Sequence, residues 1–442
     1  MDRRARGRVF TATAVRHDIK SLQVGERGFR GCLKMFNGAI SSKAVGLVVP
    51  RDETQLGLCI RIAADLGLTI SCKAGGHGVA GRAVAGDVVV DFGSFRSLVR
   101  GDSLTVSVGS GVTWAELDVF STSFGRVVPG GIVSSTGVVG LTLGGGIGWL
   151  LPLYGLSCDH LVSLTGVSAD GRVVRLDDGV APDLMKIARG YGHGLLAVTS
   201  LQFETRELPM RIDGGTVVFS IDDGVEVLSA LSDASSDCPD EINYSPALLR
   251  RSGRPCLAVD GVSFGNERFA DWICSQTAAR PEAVSTGPLS YAALQRMLDN
   301  PARMGQRCSW RSWFGSQLNR KQIEVLAAGI IACPSPYSMI LVERLAGAVN
   351  EPTHPSCFPL REASIDILIL ANWIEREHDD VNREWASNLK TVVASLSTSS
   401  LDTTYINYGD RSEHTLPQEL EREVRDARAA LDPRGIFSPS YR

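Results

Sequence analysis

The sequence predicts an α+β protein of two or three domains, and three observations carry that prediction. Residues 45–203 are rich in glycine and valine and contain short apolar runs, as in buried strands joined by tight turns. Residues 209–399 alternate strand-like with helical segments, which favours a sheet with helices packed on one face. The chain then ends in a helical pattern over 416–431. Its 442 residues, 44% of them hydrophobic, suffice for a separate core in each domain.

Local patterns place the individual elements. Apolar residues recur at helical spacing from Glu53 to Leu66, and Asp52 can cap the start of that helix, so the first zone opens as strand, helix, strand. A turn follows from Cys72 to Gly81. In the middle zone the predicted strands are GGTVVFSI, YSMILVERLAG and SIDILILANW, and the predicted helices are VEVLSALSDA, YAALQRMLDN and RKQIEVLAAGII. The breaker DPRG closes the last helix.

Composition excludes several classes of partner. The formal net charge is −4 and the basic residues are scattered, so we expect no nucleic acid partner. The ten cysteines lie far apart, without a CxxC pair or zinc spacing, which predicts reduced thiols and no metal. No secretory h-region follows the basic N-terminus, and no run of apolar residues is long enough to span a membrane. We therefore expect a cytoplasmic protein with no membrane partner.

The first segment with chemical content is residues 73–81, KAGGHGVAG, directly after a predicted strand. Its four glycines leave the backbone bare, so that amides can approach a phosphate or a planar ring closely. His77 adds one imidazole to that loop. Glycine-rich loops are weak signals by themselves, and an incidental histidine in a turn is the alternative.

The second segment is residues 130–140, which runs into a further glycine cluster at 143–149. It fails the dinucleotide fingerprint GxGxxG, because the sixth position counted from Gly144 is Trp149. It also lacks the Gly-Lys-Ser/Thr ending of a phosphate-binding P-loop. The glycines must therefore serve another kind of close approach.

Taken in order, these segments resemble a known family. KAGGHG, PGGIVSSTGVVGLTLGGGIGWLLPLYGLSCDHL, ARGYGHGLLAVTSLQFE, YINYGD and DPRGIFSP are similar in order and spacing to berberine-bridge-enzyme-like FAD-linked oxidases of the vanillyl-alcohol-oxidase (PCMH-type FAD-binding) superfamily. The likeness runs from Val45 onward. It implies a two-part FAD-binding domain at 1–208 and an antiparallel-sheet substrate domain, covered by helices on one face, at 209–399. A C-terminal segment, 400–442, would return to the FAD domain.

The resemblance also assigns the cofactor. In this family the loop histidine is bonded to the 8α-methyl group of FAD, and His77 occupies that position; Val133 stands where many members have a second attachment cysteine, so a single bond is expected. Asp159 matches the acid of an Asp-Asn pair, with His160 replacing Asn, and Thr136 would border the oxygen pocket. The predicted cofactor-binding residues are Lys73, Ala74, Gly75, Gly76, His77, Gly78, Gly81, Pro129, Gly130, Ser134, Ser135, Thr136, Gly137, Gly140, Gly144, Gly145, Gly146, Asp159, Val198, Tyr405 and Asn407.

The third segment, residues 405–410, supplies the predicted catalytic residue. In a strand, Tyr405 and Asn407 would point to one face and hold the cofactor, whereas Tyr408 would point to the other and meet the substrate. Tyr408 is the predicted general base. The pKa of a free tyrosine is near 10, so a neighbouring charge or the field of the flavin would have to lower it before Tyr408 could accept a proton at neutral pH. The alternative is that both tyrosines only pack a domain junction.

Departures from the family pattern bear on the substrate. Leu360 and Ile365 stand where the family commonly has His and Tyr, which predicts a more apolar substrate face. We therefore expect an FAD-dependent oxidase for a small, apolar natural-product intermediate, with hydride passing to the flavin and then to O2 to give H2O2. The altered stretch Arg189–Leu196 motivates an alternative, a non-redox cyclisation or dehydration on the flavin fold; a flavin-free binding protein is a third possibility. The expected partners are the small-molecule substrate and O2, in a monomer or homodimer.

Overall fold

The computed structural model describes residues 1–102, 104–300, 303–397, 401, 403–409 and 415–437. Within these ranges the strands form sheets of four, five, two and seven strands. No helix in this part of the chain is long and apolar enough to cross a membrane. The α-helices are α1 Arg3–Arg16, α2 Phe29–Cys32, α3 Glu53–Asp65, α4 Trp114–Thr122, α5 Val138–Thr142, α6 Leu151–Tyr154, α7 Pro182–Tyr191, α8 Ile221–Asp233, α9 Phe269–Ser275, α10 Tyr291–Leu294, α11 Arg320–Ile331, α12 Asp379–Ser395 and α13 Gln418–Leu431.

The four-stranded sheet contains the predicted strand, helix and strand, which follow one another between Gly46 and Lys73. α3 begins where the sequence predicts, because an Asp52 carboxylate oxygen accepts the Gln55 backbone N–H at 2.8 Å. The buried face of α3, with Leu56 and Ile60, packs on this sheet, and burying each such side chain contributes roughly 1.5–3 kcal/mol. The strands are β1 Lys20–Gln23, β2 Gly46–Val49, β3 Ile70–Lys73 and β4 Val88–Asp91, in the order β1-β2-β4-β3.

The five-stranded sheet is antiparallel throughout. Helices α4, α5 and α7 contribute Trp114, Val138 and Met185 to the core that covers it. Its strands are β5 Leu98–Arg100, β6 Thr105–Gly109, β8 Leu161–Val167, β9 Val173–Asp177 and β10 Ala197–Glu204, in the order β5-β6-β10-β8-β9. β7 Arg126–Val127 pairs with β11 Arg206–Glu207 in the two-stranded sheet.

The seven-stranded sheet is antiparallel, and α8, α9, α11 and α12 cover one of its faces, which confirms the predicted fold class. Side chains alternate along its strands: Ile365 and Ile367 enter the helix-covered core, whereas Leu368 and Leu370 point to the opposite face. The strands are β12 Asp213–Ser220, β13 Ile242–Arg251, β14 Arg254–Ser263, β15 Ala283–Pro288, β16 Arg307–Gly315, β17 Met339–Arg344 and β18 Ile365–Trp373, in the order β15-β12-β14-β13-β17-β18-β16.

Most predicted elements of the middle zone appear in the structure. RKQIEVLAAGII coincides with α11, and the three predicted strands lie in β12, β17 and β18. YAALQRMLDN is only partly helical, because α10 ends at Leu294. The side chain of Gln295 hydrogen-bonds to Asp118 of α4, and that of Asp299 to Ser134 of the glycine-rich segment 130–140. The last helix starts at Gln418, two residues later than the pattern indicates. The domain boundaries at 208 and 399 stay predictions.

Candidate functional site

A cavity of about 340 Å³ lies between the three larger sheets. Cys72 of β3 lines one part of it, Val198 of β10 another, and the uncovered face of the seven-stranded sheet a third. The glycine-rich segments 74–78 and 136–140 run along its wall. The cavity therefore joins every region in which the sequence places chemistry.

The two glycine-rich segments touch each other through bare backbone. A Cβ atom added at Gly75 would stand 2.5 Å from the Gly137 nitrogen, and one added at Gly137 would stand 2.8 Å from the Gly75 nitrogen. Any side chain at either position would push the segments apart. At Gly78 and Gly140, in contrast, an added Cβ would meet no atom within 4 Å and would project into open space.

This wall fits FAD. Exposed backbone amides at a glycine-rich turn are suitable donors for a diphosphate. Apolar surfaces at both ends can take rings, formed near β3 by Ile70 and Phe92 and near the seven-stranded sheet by Trp310 and Leu368. The residues present thus provide a long apolar site with hydrogen-bond donors along it.

His77 is held in this cavity by three neighbours. Its Nε2 lies 2.9 Å from Ser135 Oγ and its Nδ1 3.4 Å from Thr136 Oγ1. The ring stacks on Phe36 with 5.0 Å between centroids. Burial lowers the pKa of His77 to about 4, although the Asp299 carboxylate opposes the shift. The imidazole is therefore neutral at neutral pH, with one of its ring nitrogens unprotonated.

Tyr408 lines the same cavity, but its environment differs from the predicted one. Its hydroxyl donates to Glu343 Oε2 at 3.1 Å. Burial and the charge of Glu343 hold the pKa of Tyr408 well above its usual value. The neighbouring charge is a carboxylate and not a cation, so it raises the pKa of Tyr408 and does not lower it. Tyr408 is a neutral phenol that can pass a proton on to Glu343.

The strand predicted for residues 405–410 is wrong for residues 405–409, which the structure describes. Residues 406–409 turn, so Tyr405 and Asn407 do not lie on one face of a strand; Asn407 instead donates its side-chain amide to the Leu141 carbonyl at 3.0 Å. The Tyr405 hydroxyl accepts from the Gly146 backbone N–H and from Asn407 Nδ2, both at 2.8 Å. The last residue of this motif, Asp410, lies outside the described residues.

The structure brings only part of the predicted site to the cavity wall. The predicted residues that line the cavity are Ala74, Gly75, Gly76, His77, Gly78, Thr136, Gly137, Gly140, Val198, Asn407 and Tyr408. Those that lie outside its lining are Lys73, Gly81, Pro129, Gly130, Ser134, Ser135, Gly144, Gly145, Gly146, Asp159 and Tyr405. The roles of both groups stay predictions.

Asp159 illustrates the second group. Its buried carboxylate forms an ion pair with Arg361 and accepts the Leu156 backbone N–H at 2.9 Å. These contacts tie two loops together behind the cavity, so the geometry does not support a direct contact between Asp159 and the cofactor. The Ser134 hydroxyl similarly donates to Asp299 at 2.7 Å and not into the cavity.

The glycine cluster 144–146 also packs against protein. Added Cβ atoms there would collide with Asn407 at 2.4 Å, Phe358 at 2.8 Å and Ser157 at 2.2 Å, respectively. The cluster therefore lets the segment that carries Tyr408 approach closely. The sequence indicates that these glycines permit a close approach, and the structure shows that the approaching residues belong to the protein itself.

The residues chosen for an apolar substrate face are not on that face. Leu360 is buried among residues of the loops around α6, and Ile365 lies in the helix-covered core of the large sheet. The cavity wall is apolar because of other side chains of the uncovered sheet face, namely Ala247, Leu249, Met339, Leu341, Leu368 and Leu370. Their alternation along the predicted strands was the available signal.

Sequence reasoning also missed a buried acidic pair, Glu343 and Asp366. The two residues are direct partners on β17 and β18. Burial raises the pKa of Glu343 even though Tyr408 and Asp366 hydrogen-bond to it; burial and the Glu343 charge keep the pKa of Asp366 well above its usual range. Of the two carboxyl groups, Asp366 is therefore the one that its surroundings favour more strongly in the protonated form. Acids inside the apolar strands ILVER and IDILIL were the signal that could have found them.

The fold and the cavity define a flavin-binding oxidoreductase, and comparisons with known proteins agree. Residues 44–177 match the family model described as an FAD binding domain. The chain is 27% identical over 366 residues to an FAD-linked oxidoreductase of Dictyostelium discoideum, covering 81% of this chain and 80% of the relative. It is 32% identical over 187 residues to (R)-6-hydroxynicotine oxidase of Paenarthrobacter nicotinovorans, covering 41% of each chain.

The fold is that of a solved plant protein. BBE-like 1 of Physcomitrella patens superposes with a TM-score of 0.88 at 17% identity, covering 98% of both chains. The FAD-binding domain and the likeness to FAD-linked oxidoreductases confirm the resemblance that the sequence motifs predict, and they support the expected FAD-linked oxidase.

Proposed function

We propose that this enzyme oxidises a small apolar organic molecule on FAD bound once, through His77, and that O2 then regenerates the cofactor and yields H2O2. The observation that carries the proposal is the hydrogen bond from Tyr408 to Glu343, in the wall of the cavity that also holds His77. A redox-active ring and a proton acceptor are the two parts that oxidation of an alcohol or amine requires.

The cofactor is held by backbone and by one imidazole. The amides of segments 74–78 and 136–140 would bind its diphosphate and ring edges, and neutral His77 would form the covalent bond. When bound, FAD supplies a two-electron acceptor that takes hydride from the substrate and passes electrons to O2. Val133 offers no thiol for a second attachment.

Tyr408 and Glu343 remove the proton. The Tyr408 oxygen accepts the proton of the substrate O–H or N–H group while its own phenolic proton passes to Glu343 Oε2. A neutral phenol is much less costly to bury than a second carboxylate, and the proton on Asp366 keeps a single negative charge in the acidic pair. The proton therefore ends on Glu343, which does not line the cavity, and Tyr408 does not become a tyrosinate.

The apolar sheet face supports the substrate class. Leucine and methionine side chains from β13, β17 and β18 cover the wall beside Tyr408, so a ring or chain with little polarity buries its surface there. A sugar chain would leave hydroxyl groups without partners against this wall. Similarity to FAD-linked oxidoreductases favours this redox activity over the non-redox alternative.

The test begins with the cofactor. Acid precipitation followed by peptide mass measurement should find FAD on the peptide that contains His77, and His77→Ala should release it. Anaerobic mixing with apolar alcohols and amines should then bleach the flavin, and admission of air should produce one H2O2 per molecule oxidised. Product formed without bleaching would establish the non-redox alternative, and bleaching without peroxide would establish a dehydrogenase.

A further inference from the structure

One acidic side chain in the cavity wall has no part in the proposed reaction. Asp260, on β14, is 8% exposed and, among the described residues that line the cavity, is the single carboxylic acid. Its neighbours in the wall include Ala247 and Leu249 of the adjacent strand. A carboxyl group in such an apolar surface is costly unless something bonds to it.

Within the described residues, only one of the two carboxyl oxygens of Asp260 accepts a hydrogen bond. Thr216, the direct partner of Asp260 on β12, donates its hydroxyl to Oδ1. Within the described part of the chain no donor bonds to Oδ2 and no basic side chain pairs with the carboxylate. Burial accordingly raises the pKa of Asp260, although the Thr216 hydrogen bond and the charge of Arg251 oppose the shift. A ligand that donates a hydrogen bond to Oδ2 would relieve this cost.

Strand register gives the position of Asp260 relative to the reactive end of the cavity. Asp260 is paired with Ser245 on β13, and the pairing of Ala247 with Leu341 continues to place Ser245 beside Glu343 on β17. Directly paired residues face the same side of a sheet. Two strand spacings separate Asp260 from Glu343, which corresponds to roughly 10 Å.

We propose that Asp260 binds a hydrogen-bond-donating group, a hydroxyl or a protonated amine, at the end of the substrate that lies away from the oxidised carbon. The inference rests on the proposed function, because it defines that end by its distance from the Tyr408–Glu343 pair. The substrate is then an apolar skeleton of roughly two or three rings, with the reacting group at one end and a donor at the other. Asp260 selects it because an analogue that lacks the donor leaves the carboxyl group unsatisfied.

Three probes with one skeleton test this assignment. These are 2-naphthalenemethanol and its 6-hydroxy and 6-aminomethyl derivatives, titrated without O2 against the flavin-loaded enzyme, with the flavin absorbance change as the binding signal. Both derivatives should bind at least about tenfold more tightly than the parent. Asp260→Leu should abolish the difference and leave binding of the parent alcohol unchanged or tighter.

Two further variants sharpen the experiment. Asp260→Asn keeps the shape and should lose most of the preference for the amine, so a folding defect in the leucine variant does not decide the outcome. Ser245→Ala is the matched control, because Ser245 lies in the same row but donates to the Val342 carbonyl and does not line the cavity. It should keep both preferences.

Binding and turnover distinguish the two proposals. A preference that persists in Asp260→Leu, equal binding of all three probes, or no binding of any probe would overturn the subsite. Probes that show an Asp260-dependent preference but never reduce the flavin would leave the subsite standing and count against the oxidase proposal. Probes that are all oxidised but bind equally well would support the oxidase proposal and overturn the subsite.

Discussion

Tyr408 donates its hydroxyl proton to Glu343 across 3.1 Å, although 65 residues separate the two along the chain. Asp366, which carries its own proton, lies beside Glu343 on the next strand. The three side chains therefore form one contiguous polar group beside the cavity. Several expected outcomes depend on this group.

Removal of the phenol should slow the reductive step. In Tyr408→Phe the substrate loses its proton acceptor, and we expect the rate of anaerobic flavin reduction to fall by about 10² to 10⁴. Stopped-flow absorbance measures that rate, with flavin content as the control for an intact cofactor site. An unchanged rate would remove Tyr408 from the reaction.

The two buried acids should respond differently to amide substitution. Glu343→Gln removes the group that receives the proton, so its rate of flavin reduction should fall about as far as that of Tyr408→Phe. Asp366→Asn replaces a group that is already neutral, and its rate should stay within about tenfold. Equal losses in both variants would mean that Asp366, and not Glu343 alone, takes the proton.

The rate should depend on pH through Glu343. The carboxyl group must be ionised to accept a proton, so flavin reduction should accelerate as pH rises through the pKa of Glu343. Burial raises that pKa above the ordinary value of 4.5, so the midpoint should lie above 4.5. A rate profile measured from acid to neutral pH checks the direction. A rate that falls with rising pH would contradict the assignment.

Flavin attachment should depend on Ser135. Its hydroxyl lies 2.9 Å from His77 Nε2, so Ser135→Ala should leave the ring less well oriented and lower the fraction of flavin that stays with acid-precipitated protein. Ser134→Ala is the matched control, since that hydroxyl bonds to Asp299. Equal flavin retention in the two variants would show that Ser135 does not orient His77.

Asp118 should make stability depend on pH. Burial raises its pKa to about 8, and Gln295 Nε2 donates to one carboxylate oxygen at 3.1 Å. The folded state holds this proton where the unfolded state releases it. The contribution is therefore full below about pH 4 and declines by up to about 1.4 kcal/mol per pH unit as the pH rises towards 8.

The variant Asp118→Asn removes that titration. Its amide can bond to Gln295 in place of the neutral acid, so its melting temperature should fall less than that of the unaltered protein between pH 5 and pH 8. Circular dichroism measures both melting temperatures. Parallel decreases would show that Asp118 is not the titrating group.

The sequence by itself determined the α+β class, the limits of several strands and helices, the glycine-rich segments and His77. These features depend on local rules, because apolar periodicity sets an element and bare backbone requires glycine at close approaches. Gly75 and Gly137 are an example: the sequence indicates that each must lie close to other backbone, and the structure shows that they lie against each other.

Tertiary structure alone decided which side chains meet. Glu343 reaches Tyr408, and Asp260 faces the cavity, because strand register fixes the neighbours and the face of every residue in a sheet. For the same reason Ile365, which motif comparison placed at the substrate, lies in the opposite core. A shift of one position along a strand reverses the direction of a side chain, and only the assembled sheet determines that direction.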